Sequence, residues 1–283
     1  MKRKLQYLPG ALLLALGATP IVASVSIPHT FESGETAVAA EVNANFEALR
    51  QQFAEARSQI EAMQKLHEHV EVIADPNYPN EHTVRFSGVN VQIVNGLEET
   101  ESTNGLGNLI VGYNEPRGGS TATEVCSLGQ YDNSTNCTSN GGAWDQNHKS
   151  GSHNIVGGTG NAYSAAGGLV VGLRNTINRE YATVTGGWQN TASGAASSVA
   201  GGLLNIASES RSHVSGGQSN TASGLYSTVS GGMLNTASRT WSSVSGGHTN
   251  TAEHNYSSIL GGQQQSTSSL ADTIPAIQPE DAP

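Results

Sequence analysis

Nine histidines, 23 acidic residues and two cysteines are the groups this chain has for acid–base, nucleophilic or metal chemistry. His67 and His69 flank Glu68, but two residues apart on a helix they point to different sides, and a solvated face explains them better than a metal site. His213, His248 and His254 fall at unrelated positions of the repeat described below. Between residues 183 and 270 the acids are Glu209 and Glu253 alone, so a carboxylate pair for hydrolysis would have to come from elsewhere in the chain. The 34 glycines make no phosphate cradle, because no Gly-Lys-Ser or Gly-Lys-Thr follows them and no dinucleotide fingerprint opens a helix. A Gly-x-Ser-x-Gly elbow and the calcium-binding Gly-Gly-x-Gly-x-Asp nonapeptide are both absent. The expectation is a protein that is not an enzyme and carries neither cofactor nor metal.

Composition narrows the class further. Of 283 residues 13% are charged, against about 25% in an ordinary globular domain, and 5% are aromatic. A conventional large core is not expected. The net charge of -10 leaves no basic face for phosphates or an anionic bilayer, which disfavours nucleic acid and membrane surfaces as partners. Lys2, Arg3 and Lys4, the apolar run Leu12 to Leu16 and the small residues from Ala18 to Ser26 have the layout of a secretory signal peptide over residues 1–24. The apolar stretch, interrupted by Gly17 and Pro20, is too short for a bilayer, so no transmembrane segment is expected in the mature chain.

After a linker at 25–35, residues 36–73 contain no Gly or Pro. Val42, Phe46, Leu49, Phe53, Ala56, Ile60 and Met63 are spaced alternately by four and three residues, a heptad seam that one helix alone cannot bury. A coiled coil is expected there, with a single amphipathic helix packed on its own chain as the plainer reading. Pro76 and Pro79 stop the helix.

The chain then becomes periodic. Glycine pairs stand at Gly186/Gly187, Gly201/Gly202, Gly216/Gly217, Gly231/Gly232, Gly246/Gly247 and Gly261/Gly262, each pair 15 residues after the last. Val184, Val199, Val214, Val229, Val244 and Ile259 keep the same step, and so does Asn from Asn175 to Asn250. A fixed short period marks a solenoid, and 15 residues are too few for a helical pair, so the unit is a β coil. The aliphatic column is its core, the glycines turn it through positive φ, and the Asn with the small Ala and Ser favours a second turn or short strand. One Val and one Ala per coil bury little, which argues for association with other copies.

Units such as Gly-Gly-Trp-Gln-Asn-Thr-Ala-Ser-Gly, from Gly186, and Gly-Gly-Gln-Ser-Asn-Thr-Ala-Ser-Gly, from Gly216, resemble the YadA-like head repeats of trimeric autotransporter adhesins. The likeness covers residues 152–265 and, more loosely, Leu109 to Asn114. It implies a left-handed parallel β-roll, a homotrimer and a surface-binding role. Those adhesins end in a membrane β-barrel, whereas this chain ends in an acidic, Pro-rich segment without a strand pattern.

The expected organisation is mainly β. A transition at 74–114 holds the first coils, with a strand over Phe86 to Val94; an insertion at 115–150 is closed by a Cys126–Cys137 disulfide; the roll fills 151–265; and a Pro-rich disordered tail occupies 266–283. Val111 and Val171 lie four periods apart, either because the insertion replaces coils in register or by coincidence. Two columns invite a surface role. Tyr181, Tyr226, Trp241 and Tyr256 share one position, suited to stacking on sugars or, by preference, to subunit contact. Thr176, Thr191, Thr221, Thr236 and Thr251 share another, read as turn capping. The functional expectation is a homotrimeric adhesin-like or extracellular structural protein, secreted, at the cell surface or in the periplasm. Its ligand is expected to be an extracellular surface, matrix or glycan. The alternatives are a polysaccharide-binding or polysaccharide-degrading solenoid of tailspike type, and an ice- or mineral-binding solenoid.

Overall fold

A computed structural model describes residues 26–117, 124–127, 131, 133–145 and 148–274. The signal peptide expected at 1–24 and the end of the chain from 275 lie outside them. The described chain divides into two units, one ending at Val91 and the other beginning at Gln92.

In the first unit α1 spans Ala39–His67 and is followed by an antiparallel hairpin of β1, Val70–Ala74, and β2, His82–Phe86. The helix is therefore shorter at both ends than the expected 36–73. Its C-terminal stretch is lost because Val70, Val72 and Ile73 are β-branched and find a partner strand in residues 82–86. Asp75 holds the connection, accepting N–H bonds from Asn77 and Tyr78 and the Thr83 hydroxyl. These donors lower its carboxyl pKa. Ahead of α1, the linker lies along the helix: the His29 N–H donates to Asn45 Oδ1, Asn45 Nδ2 donates back to the His29 carbonyl, and Gln52 Nε2 reaches the Ser26 carbonyl. No residue of α1 is buried. The strand expected over Phe86 to Val94 ends at Phe86, where β1 runs out as a partner and Gly88 turns the chain at φ +70°.

The second unit is a parallel β-solenoid. Among the described residues one sheet stacks ten short strands from β3, Leu109–Val111, to Thr273–Ile274, and a second stacks seven from Ala162–Tyr163 to Thr251–Ala252. Register follows the columns: Val184 pairs beside Val199, Val199 beside Val214 and Ala192 beside Ala207. Val184, Val199, Val214, Val229, Val244 and Ile259 are fully buried, as are Ala192, Ala207, Ala222, Ala237 and Ala252. The core is thus a file of single side chains.

Three boundaries differ from expectation. The first coils are one residue shorter, since Ile155 pairs with Leu169 and Leu169 with Thr183; they carry one residue fewer before the glycine corner. The roll runs on past 265, because Thr273–Ile274 pairs with Ser258–Ile259 and places Ile274 in the aliphatic column; residues 266–274 form a last coil instead of a disordered tail. Val111 pairs with Gly157 and Gly157 with Val171, so Val111 and Val171 are two rungs apart and their spacing of four periods is coincidental.

The insertion leaves the roll after the first coil and returns to it. Its described part pairs β4, Val125–Cys126, with β5, Trp144–Asp145, and holds the short helix α2, Ser134–Ser139. Cys126 and Cys137 form the expected disulfide and are both buried. Closing so short a loop restrains the unfolded chain by about 3 kcal/mol. Replacing both cysteines by Ser should therefore speed proteolysis within 115–150 by an order of magnitude or more, while the roll melts as before; an insertion as resistant as the parent would contradict this.

Candidate functional site

The asparagine column turns out to be internal. Asn175, Asn190, Asn205, Asn220, Asn235 and Asn250 have no solvent exposure. Each side chain ties its own coil to the next, as Asn220 illustrates: its Oδ1 accepts the Asn235 N–H at 2.9 Å, while its Nδ2 donates to the Gly216 and Gly232 carbonyls, both at 2.9 Å. Both amide donors and one acceptor lone pair are thus used inside a thin core. Asn114 starts the ladder at the Asn161 N–H, and Asn250 ends it at the Gln265 N–H. The sequence reading made this column a turn residue; its unvarying step was the signal that it serves every coil.

Each corner needs left-handed backbone. In each glycine pair the second residue closes the turn, with φ from +81° at Gly187 to +99° at Gly262; of the first residues Gly216 alone, at φ +157°, also has a positive value. A Cβ on Gly187, Gly202, Gly217, Gly232 or Gly247 would stand within 3.0 Å of the next coil's backbone, whereas Gly231, Gly246 and Gly261 face open space. Two further corners use non-glycine residues at φ of about +55° to +60°: the residue before each Asn, such as Leu204 and Leu234, and the aromatic column, including Tyr181, Tyr226, Trp241 and Tyr256. Such residues each carry roughly 1–2 kcal/mol of strain, offset here by ladder bonds such as Trp241 N–H to the Leu225 carbonyl at 2.9 Å.

Charge is confined to one edge of the coils. From Asn175 to Ile274 the charged residues are Arg179, Glu180, Glu209, Arg211, Arg239, Glu253 and Asp272, and every one lies three to seven residues after its coil's Asn or Gln265. The aromatic column stands on that same edge. Tyr226 and Trp241 stack there at 4.2 Å with 4° between their planes, and the Arg211 guanidinium lies 5.2 Å from the Tyr226 ring centre. Tyr181 donates its hydroxyl to Glu101 Oε1 at 2.6 Å, and that bond raises the phenol pKa. Away from this edge, Leu173, Trp188, Leu204, Met233 and Leu234 expose apolar side chains in columns that carry no charge from Trp188 to Gln264. The Thr column is half exposed at Thr191, Thr221, Thr236 and Thr251, with Ile206 among them.

At the start of the roll, the buried Arg117 donates from Nε to the Gly160 carbonyl and from Nη2 to the Asn175 carbonyl and Thr176 Oγ1. Burial, with Arg174 nearby, pushes its pKa down to about 10. It clasps the first rungs of the second sheet to the insertion, a role sequence reading did not assign.

The heptad residues are exposed along α1. Phe46 is 66% and Phe53 73% exposed, and Ile60 and Met63 more than half; Val42 and Leu49 are half-buried. Among the described residues no group of three His, Cys, Asp or Glu is placed to hold a metal ion, and no helix is long and apolar enough to cross a membrane. No protein-family model matches the chain, and no curated protein is similar enough to it to count as a match.

Proposed function

We propose that this chain is a secreted, homotrimeric, non-enzymatic protein of adhesin-like or extracellular structural type, in which a rigid β-roll presents an attachment surface. The observation that carries the reading is the combination of a mostly exposed heptad stripe on α1 with a roll whose charges, from Asn175 to Ile274, all lie on one edge. Helices wound together through Val42, Phe46, Leu49, Phe53, Ile60 and Met63 would set the copy number. Identical rolls would then meet through uncharged apolar columns such as Trp188, Leu204 and Leu234, leaving the charged aromatic edge outward. The resemblance to YadA-like heads supports three copies and a surface role. The buried disulfide fits an oxidising compartment outside the cytoplasm, and the N-terminal pattern fits export.

Beads coated with the full chain test the attachment role. They should stay on surfaces coated with cells, extracellular matrix or polysaccharide under flow that removes uncoated beads, and retention no better than uncoated beads on every surface would refute it.

A further inference from the structure

The outward ladder has one missing step. Its column reads Tyr181, Ala196, Arg211, Tyr226, Trp241 and Tyr256, so Ala196 alone stands between the tyrosine and the guanidinium. Tyr181 lies against Gly167 of the preceding coil, and its hydroxyl is pinned by Glu101. Arg211 is held on its other side by Tyr226, to whose hydroxyl its Nη1 donates at 2.7 Å. The backbones that carry the two walls are two coil spacings apart, roughly 9.6 Å, a span that one ring stacked at about 4.5–5 Å from each would fill. A shallow groove lies beside this stretch, bordered by Arg179, Glu180, Ser193, Ser208 and Glu209 and reaching Ala195 next to the slot, but not Tyr181, Ala196 or Arg211 themselves.

The groove's chemistry selects among rings. Its two carboxylates and serine hydroxyls offer acceptors and donors to a ring rich in hydroxyls that sits in the neighbouring slot, and Arg179 in the groove with Arg211 beside it balances Glu180 and Glu209, favouring an uncharged guest. The phenol face of a tyrosine suits the C–H face of a pyranose. A nucleotide would bring phosphate to a chain of net charge -10.

We propose that the slot above Ala196 is a subsite for one neutral pyranose residue of a polysaccharide, held between Tyr181 and Arg211. This rests on the attachment reading and names the ligand class for its outward edge. Isothermal titration of the full chain with cello-, chito-, manno- and malto-hexaose tests it. At least one hexaose should bind, Ala196→Tyr and Tyr181→Ala should each weaken binding roughly tenfold, and Tyr256→Ala should leave it unchanged. Ala196→Tyr should also melt as the parent does, because tyrosine already adopts the same corner at 226 and 256, with φ +57° and +59° against +54° at Ala196. No binding of any hexaose, or undiminished binding by a folded Ala196→Tyr protein, would overturn the proposal. A chain whose beads adhere but which binds no hexaose loses only the subsite. A chain that binds a hexaose while its beads fail to adhere loses the attachment role and keeps the subsite.

Discussion

Replacing Asn220 by Ala lowers the stability of the roll by about 4 kcal/mol, far more than its small volume suggests. The substitution removes the acceptor of the buried Asn235 N–H and the donor to the Gly216 carbonyl, which has no other backbone partner; the Gly232 carbonyl keeps the Gln218 N–H. The buried Asn235 N–H left unpaired costs about 1–3 kcal/mol, the half-exposed Gly216 carbonyl adds less, and the cavity adds to both. Asn220→Asp is the sharper probe. Its carboxylate still accepts from Asn235 but turns lone pairs toward the Gly216 and Gly232 carbonyls, so the folded state raises its pKa above the unfolded value of about 3.9. A group raised in this way binds its proton more tightly when folded. The Asp protein is therefore least stable at neutral pH and recovers toward the parent as pH falls to the unfolded carboxylate value. Chemical unfolding followed by circular dichroism at fixed chain concentration reads both effects. A loss below about 1 kcal/mol for Asn220→Ala would mean that the ladder does not hold the coils.

Gly231 and Gly232 are neighbours with opposite expected responses to Ala. At Gly232 the backbone is left-handed, φ +83°, and a Cβ would press on the oxygen and nitrogen of Gly247. Relief requires two coils to move apart, so Gly232→Ala costs more than about 3 kcal/mol or prevents folding. Gly231 has open space where its Cβ would go and no left-handed φ, so Gly231→Ala stays within about 1 kcal/mol of the parent and gains slightly from a stiffer unfolded chain. Equal melting temperatures for the two variants would contradict this assignment of the corner.

The repeat was legible because a parallel solenoid makes sequence period and spatial register the same thing. Every rung sets Val229 between Val214 and Val244, so a column in the text becomes a file in the core. Division of labour within a coil was not legible. Nothing in Gly231-Gly232 tells which residue turns the corner, since that depends on how close the Gly247 carbonyl comes. The depth of Asn220 was hidden likewise, because Asn is common in exposed turns and only burial separates the two uses. The last coil was missed because Gln265 and Thr267 replace the usual Asn and Ala, while Ile274 kept the aliphatic step. The helix end was overrun because the absence of Gly and Pro through residue 73 says nothing of the partner strand waiting at His82–Phe86. Columns read singly left the aromatic file open to two uses; setting it beside Arg179, Glu209 and Glu253 puts it on the charged edge.

Sedimentation equilibrium of the full chain tests the central claim, that rolls this thin stand as a bundle of copies. The expected result is one species of three times the 29.3 kDa chain mass, driven to single chains by Phe46→Asp with Phe53→Asp. A species of 29.3 kDa at every concentration, with the β signal intact, would contradict it.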